Sequence, residues 1–233
     1  LEDSSNDWAG PIEDAIDGNM SVRLNTITSK NEVFPGFLMY GAIDIDDQGL
    51  VFAGKLLNKT VKTLHFWYKG EFMDGDNGFV YLILYKDGKI VGELEHDITE
   101  SSDLWKQEKI ALENEVEADH LFITFLSSKH KDLWGGNPVE GSWLQIDHVF
   151  FTNESTSETI FVENYSFEDW KSFTCEEPVG WTTAANSVGE YRNDIKIISK
   201  TNDCYSGKYA VLLEGVFAGG DVSTSEMCYK GEL

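Results

Sequence analysis

The sequence predicts an all-β protein, built as an antiparallel sandwich. Three observations carry that prediction. Apolar residues come in short segments of strand period or strand length, Gly- and Asp-rich turns separate them, and no segment shows a clear helical stripe. Leu64-His65-Phe66-Trp67-Tyr68 is an aromatic-rich strand. Phe79 to Tyr85 is an unbroken apolar run, which marks a strand buried on both faces. Lys86-Asp87-Gly88-Lys89 follows, and Asp-Gly reads as a two-residue hairpin turn whose central positions both need positive φ. Ile90 to Leu94 is then the returning strand. Trp105 to Leu112 reads as a strand and the acidic residues after it as a loop; Leu121 to Leu126 is the next strand. In Leu144 to Phe151, strict alternation puts Leu144, Ile146, His148 and Phe150 on one face and Gln145, Asp147, Val149 and Phe151 on the other.

The chain has 233 residues, enough for one large domain or two small ones. Eighteen Lys and Arg stand against 41 Asp and Glu, a net charge of −23. Such a chain lacks the clustered cations that neutralise phosphate, so nucleic acid is excluded as a partner, and so is docking on anionic lipid. No apolar run approaches the roughly 18–20 residues of a transmembrane helix. The sequence starts at Leu1 and shows no signal peptide, which reads as a processed or trimmed product. Three cysteines, Cys175, Cys204 and Cys228, make no CxxC and at most one disulfide.

Thr152 to Thr159 is polar without apolar anchors and reads as a linker, dividing the chain into 1–152 and 160–233. There is also an internal repeat. Asp17-Gly18-Asn19-Met20-Ser21-Val22-Arg23-Leu24 resembles Ser206-Gly207-Lys208-Tyr209-Ala210-Val211-Leu212-Leu213, offset by 207 − 18 = 189. The same offset pairs Met39-Tyr40 with Cys228-Tyr229 and sets Cys204 and Cys228 against Ala15 and Met39, which favours buried apolar roles for both cysteines. The second copy is incomplete, or it completes the sheet of the first.

Phe167-Glu168-Asp169-Trp170, Gly180-Trp181-Thr182-Thr183 and Tyr205-Ser206-Gly207-Lys208-Tyr209-Ala210 stand in the order of a secreted bacterial module's opening. Phe66-Trp67-Tyr68-Lys69-Gly70, Ser127-Ser128-Lys129 and Gly141-Ser142-Trp143-Leu144-Gln145-Ile146-Asp147 look like its later part. Together they resemble the putative carbohydrate metabolism domain, and the carbohydrate-binding and galactose-binding-like proteins related to it in polysaccharide-degrading gut bacteria. The resemblance implies a jelly-roll sandwich. It also implies a secreted, periplasmic or outer-surface location, often as a lipoprotein.

Sugar recognition uses flat apolar faces for the CH side of a pyranose and planar polar groups for its hydroxyls. Trp134 lies in Lys131-Asp132-Leu133-Trp134-Gly135-Gly136-Asn137-Pro138, a loop by its Gly-Gly and Asn-Pro pairs, and reads either as a ligand platform, with Asn137 beside it, or as a loop anchor. Trp143 and Trp105 flank strands, and Trp8 stands beside Gly10-Pro11; Tyr40 and Tyr68 are rim residues if not core. Trp67 reads as core because it sits inside an aromatic strand, and Trp170 and Trp181 read as packing residues.

Calcium suits oxygen ligands at alternate positions around glycine. Asp74 and Asp76 in Met73-Asp74-Gly75-Asp76-Asn77-Gly78 have that spacing but lack the distal Glu of an EF-hand, and a turn explains the same residues. Asp44, Asp46 and Asp47 form a second acidic group. The resemblance implies a structural calcium on Asp147 and Glu168, which the repeat assigns to different copies. Enzyme motifs are absent: there is no Gly-x-Ser-x-Gly, no His-Glu-x-x-His and no phosphate loop. Glu95 and Asp97 flank His96 and share a face if they lie on a strand, which reads as a solvated edge; His148 reads as a core histidine. The expected function is non-catalytic binding of a polysaccharide or oligosaccharide. A structural or adhesive role beside other envelope proteins comes second, and a glycoside hydrolase last.

Overall fold

A computed structural model describes residues 8–29, 31–46, 49–170, 181–183, 198–213, 216–218, 221–223 and 227–229. The chain divides into two compact units, Leu1–Asp169 and Trp170–Leu233. In the first lie β1 (Ala9–Ile12), β2 (Ser21–Asn25), β3 (Ile27–Ser29), β4 (Glu32–Phe34), β5 (Phe37–Tyr40), β6 (Ala42–Asp46), β7 (Gly49–Ala53) and β8 (Lys55–Glu71). They are followed by β9 (Gly78–Lys86), β10 (Lys89–Ile98), β11 (Ser102–Leu126), the one-turn helix α1 (Lys131–Trp134), β12 (Trp143–Thr152) and β13 (Thr159–Phe161). The described fold is all-β and every strand pair is antiparallel.

One continuous sheet makes both layers of this unit. Its order is β1-β2-β12-β8-β11-β9-β10, with β13 beside β12 and β5 beside β11. The first half of β11 pairs with the second half of β8, from Ser102 opposite Gly70 to Ala111 opposite Thr63. Register then shifts between Ala111 and Val116, and the strand goes on to pair with β9 from His120 to Leu126. The sheet folds over at that irregularity. Phe66 of β8 has Glu108 of β11 as its lateral neighbour, yet its ring meets Phe125 of the same strand at 5.1 Å. Contact with both halves of one strand requires the sheet to close on itself. Between the layers lie Val22, Leu24, Leu64, Phe66, Leu82, Leu84, Leu121, Ile123, Leu144 and Phe151, all buried. Each such side chain contributes on the order of 1.5–3 kcal/mol of transfer free energy.

Several expectations hold at the level of the element. Lys86-Asp87-Gly88-Lys89 turns as predicted, with φ of 51° at Asp87 and 71° at Gly88. β9 is buried on both faces: Val80, Leu82 and Leu84 face the main core, while Phe79, Tyr81 and Ile83 form a second cluster with Phe122 and Leu126.

Others are corrected. The acidic stretch after Leu112 is not a loop. It is the middle of β11, whose alternate residues Val116 and Ala118 reach the core while the acids face solvent. The strict alternation along β12 fails after Asp147. His148 has φ of 53°, the pairing with β8 shifts between Asp147 and Phe150, and the bulge moves Val149 and Phe151 into the core beside Leu144 and Ile146. His148 is therefore not a core residue but half-buried, paired with Asp17 at 2.8 Å. The stretch 152–159 does not link domains. It is a tight hairpin in which Thr152 is the register partner of Thr159, and buried Asn153 donates to Thr60 O and accepts from Thr156 N.

The second unit contains β14 (Trp181–Thr183), β15 (Ile198–Thr201), β16 (Ala210–Leu213), β17 (Val216–Ala218), β18 (Asp221–Ser223) and β19 (Met227–Tyr229). The repeat seen in the sequence recurs here in backbone pairing. Ala9 faces Leu24 and Ile198 faces Leu213; Ile27 faces Phe34 and Val216 faces Ser223, each at an offset of 189 (198 − 9 and 216 − 27). Gly18 and Gly207 occupy matching turns at φ of 81° and 80°. Cys204 is a free, partly exposed thiol rather than a buried apolar residue; Cys175 lies outside the described residues.

Candidate functional site

The outer face of the first layer carries an array of tryptophans, because β8 alternates. Leu64, Phe66 and Tyr68 point inward, so His65, Trp67 and Lys69 point outward. This overturns the reading of Trp67 as core: the ring is half-exposed. Register then sets its neighbours. Gln107 of β11 and Asp147 of β12 flank Trp67, and Gln145 of β12 stands beside Lys69. Trp143 lies between Glu71 of β8 and Asn25 of β2. Trp105 is half-exposed, and Lys69 Nζ stands 5.0 Å from its ring centre.

Charged groups hold two of the rings. The Arg23 guanidinium lies 3.9 Å over the Trp143 ring, whose Nε1 is 3.4 Å from Glu71 Oε2. Asp14 accepts from Lys69 Nζ at 2.6 Å and from Trp105 Nε1 at 3.2 Å. The hydrogen bond from Lys69 is the main cause holding the Asp14 carboxyl below its ordinary range, despite some desolvation. Among the described residues Trp67 has neither a ring contact nor a hydrogen bond, and the Gln107 amide beside it has none either. A half-exposed indole and an adjacent unused amide supply both parts that sugar recognition needs.

Sequence reading singled out Trp143 and Trp8 but missed Trp67. Trp8 belongs at the edge of this array: its carbonyl accepts from Asn25 N at 2.8 Å, and Asn25 neighbours Trp143. Its ring stacks on Phe34 at 5.6 Å. The other named residues lie elsewhere. Tyr40 is on β5 with Lys55 Nζ 4.7 Å from its ring. Asn137 is exposed beyond α1. Trp134 ends α1 and packs on Phe79 and Tyr81 at 5.1 and 5.3 Å, capping the second apolar cluster. Glu95 and Asp97 do share a face of β10, where both pair with Lys129.

The acids that resemble a calcium set belong to one unit, not to separate copies. Buried Asp147 accepts from the backbone N–H of Ile16, Asp17 and His148 at 2.7, 2.9 and 2.7 Å. Burial nevertheless pushes its carboxyl above the ordinary range. Glu168 accepts from Asn19 N and Met20 N at 2.9 and 2.8 Å. The loop thus offers these two carboxylates backbone N–H donors. Asp76 is satisfied in the same way by Asn77 N, Ser128 Oγ and Val139 N. Asp74 lies in a tight turn at φ of 47°, and Asp47 is outside the described residues. Among the described residues no three His, Cys, Asp or Glu side chains gather as a metal site.

The Ser127-Ser128 and Gly141-Ser142 pairs are structural. Thr26 Oγ1 lies 2.8 and 2.5 Å from the Ser127 and Ser128 hydroxyls, and Ser142 Oγ accepts from Met73 N. No described helix is long and apolar enough to cross a membrane.

No family model and no curated protein matches the chain. Among solved structures it is similar to the carbohydrate-binding module TmCBM61, crystallised with β-1,4-galactotriose, at 13% identity and a TM-score of 0.37, over 64% of this chain and 85% of that one. A family 16 carbohydrate-binding module gives 10% identity and 0.39, over 65% and 89%. The K1 adhesin domain of Lys-gingipain from Porphyromonas gingivalis W83 gives 12% and 0.36, over 66% and 89%. At those scores the reading of function rests on this chain's own residues.

Proposed function

We propose that this chain binds glycan through the outer face of the first layer, without catalysis. The carrying observation is that Trp67, Trp105 and Trp143 lie half-exposed on one sheet face, interleaved with Gln107, Lys69, Arg23 and Glu71. Indole faces suit the CH side of a pyranose, and the amide and charged groups suit its hydroxyls. Trp67 has its ring and N–H unused and is the principal contact. The natural surroundings of this binding are extracellular, where polysaccharide is met.

The test is an array of neutral and acidic oligosaccharides probed with the purified protein, with calcium and with a chelator. We expect a reproducible hit that survives the chelator. Trp67→Ala should weaken it about tenfold or more, the order of a lost stacking contact with its hydrogen bond. The melting temperature should fall less than in Trp134→Ala, since among the described residues the Trp67 ring makes no aromatic contact or side-chain hydrogen bond that the substitution would break. Trp134→Ala should do the reverse, lowering the melting temperature by unpacking Phe79 and Tyr81 while leaving affinity intact. A blank array from folded protein would refute the proposal.

A further inference from the structure

The loop between β1 and β2, residues 13–20, crosses the edge of this tryptophan face and is fixed at three places. Asp147 accepts the N–H groups of Ile16 and Asp17. Glu168 accepts those of Asn19 and Met20, and its carboxylate fills the space a Cβ on Gly18 would enter. The Asp14 carbonyl accepts from Ser21 Oγ at 2.6 Å and from Gln145 Nε2 at 2.8 Å. A loop held this firmly sets the position of the Asp14 carboxylate, which accepts from Trp105 Nε1. That carboxylate cancels the Lys69 ammonium at 2.6 Å while remaining 43% exposed.

We infer that Asp14 is the specificity-determining residue of this face, selecting uncharged over acidic glycans, and that Asp147 and Glu168 are positioning residues that hold it there. The inference rests on the glycan-binding reading. The argument is one of local charge. With Asp14 in place, Lys69 and Asp14 form a neutral pair of donor and acceptor, which suits hydroxyl groups. A uronate would bring its carboxylate against that of Asp14, and like charges at close range oppose binding. Without Asp14, Lys69 is an unpaired cation between Trp105 and Gln145 and attracts a carboxylate.

The experiment measures the affinity ratio for two probes, the neutral oligosaccharide that binds best on the array and oligogalacturonate. Wild type should favour the neutral probe. Asp14→Asn should lower neutral affinity about tenfold, as expected for a lost charge-assisted hydrogen bond, and raise oligogalacturonate affinity. Asp147→Asn and Glu168→Gln should move the ratio in the same direction by a smaller factor. Leu144→Ala is the control: it damages the core and lowers the melting temperature, and the ratio should stay fixed. Binding by wild type with an unchanged ratio in Asp14→Asn would overturn the role of Asp14 and leave glycan binding standing. A shift in Asp14→Asn alone would overturn the positioning roles. A preference of wild type for oligogalacturonate would overturn the ligand class, and wild type that binds neither probe would overturn both readings.

Discussion

His65 shows how an outward-facing residue acquires a pH-dependent role. Its ring stacks on Phe150 at 4.7 Å and its Nε2 lies 2.9 Å from Thr152 Oγ1. Its Nδ1 is buried without a hydrogen-bond partner. Burial, with a smaller contribution from Lys109, holds its pKa below the ordinary 6.5. Protonation would therefore add charge where solvation is poor. In the unfolded chain the ring protonates near its ordinary value, so the unfolded state binds more protons over this window. Stability from this residue is full above about pH 6.5 and is lost as pH falls through the lower folded value. His65→Phe keeps a stacking ring and cannot titrate. Thermal melts from pH 8 to pH 5 should show wild type losing ground against the variant below about pH 6.5; parallel curves would reject this account.

At the scale of the element, turns and bulges decide which face a residue occupies. The β9–β10 turn needs positive φ at Asp87 and Gly88, and a Cβ on Gly88 would meet nothing within 4 Å. Any penalty for Gly88→Ala is therefore conformational, about 1–2 kcal/mol for a left-handed non-glycine residue. Denaturant titration should show a lower midpoint with an unchanged m-value, and an unchanged midpoint would mean the turn relaxes freely. The bulge at His148 has a larger effect. It turns Phe150 outward against His65 and Phe161, and moves Val149 and Phe151 inward. One residue in the left-handed region thus exchanges the faces of the rest of β12.

At the scale of the molecule, the first unit has a hydrophobic core of its own. That core runs from Val22 to Val162, within residues 1–169. The tryptophan face, the loop above it and both carboxylates that hold the loop lie within the same residues. A fragment of residues 1–169 should unfold in one cooperative transition and keep the glycan affinity of the full chain. A fragment that lacks a cooperative melt would show that the first unit depends on residues 170–233.

The sequence by itself determined the all-β class, the doubly buried β9, the Asp87-Gly88 turn and the repeat at offset 189. All of these follow from local physics: strand period, turn conformations that few residues tolerate, and spacing along one chain. It also contained the evidence to place Trp67 outward, in the alternation of Leu64, Phe66 and Tyr68 with His65, Trp67 and Lys69. Aromatic density masked that signal, since a cluster of rings reads as core unless faces are counted separately. Tertiary structure decided the rest. The bulge at His148, the fold-over of β11 and the descent of Asp147 and Glu168 onto one loop each depend on pairing between segments distant in sequence. Which tryptophans share a face is set by register across β12, β8 and β11, and the energy that fixes register comes from the buried side of the sheet.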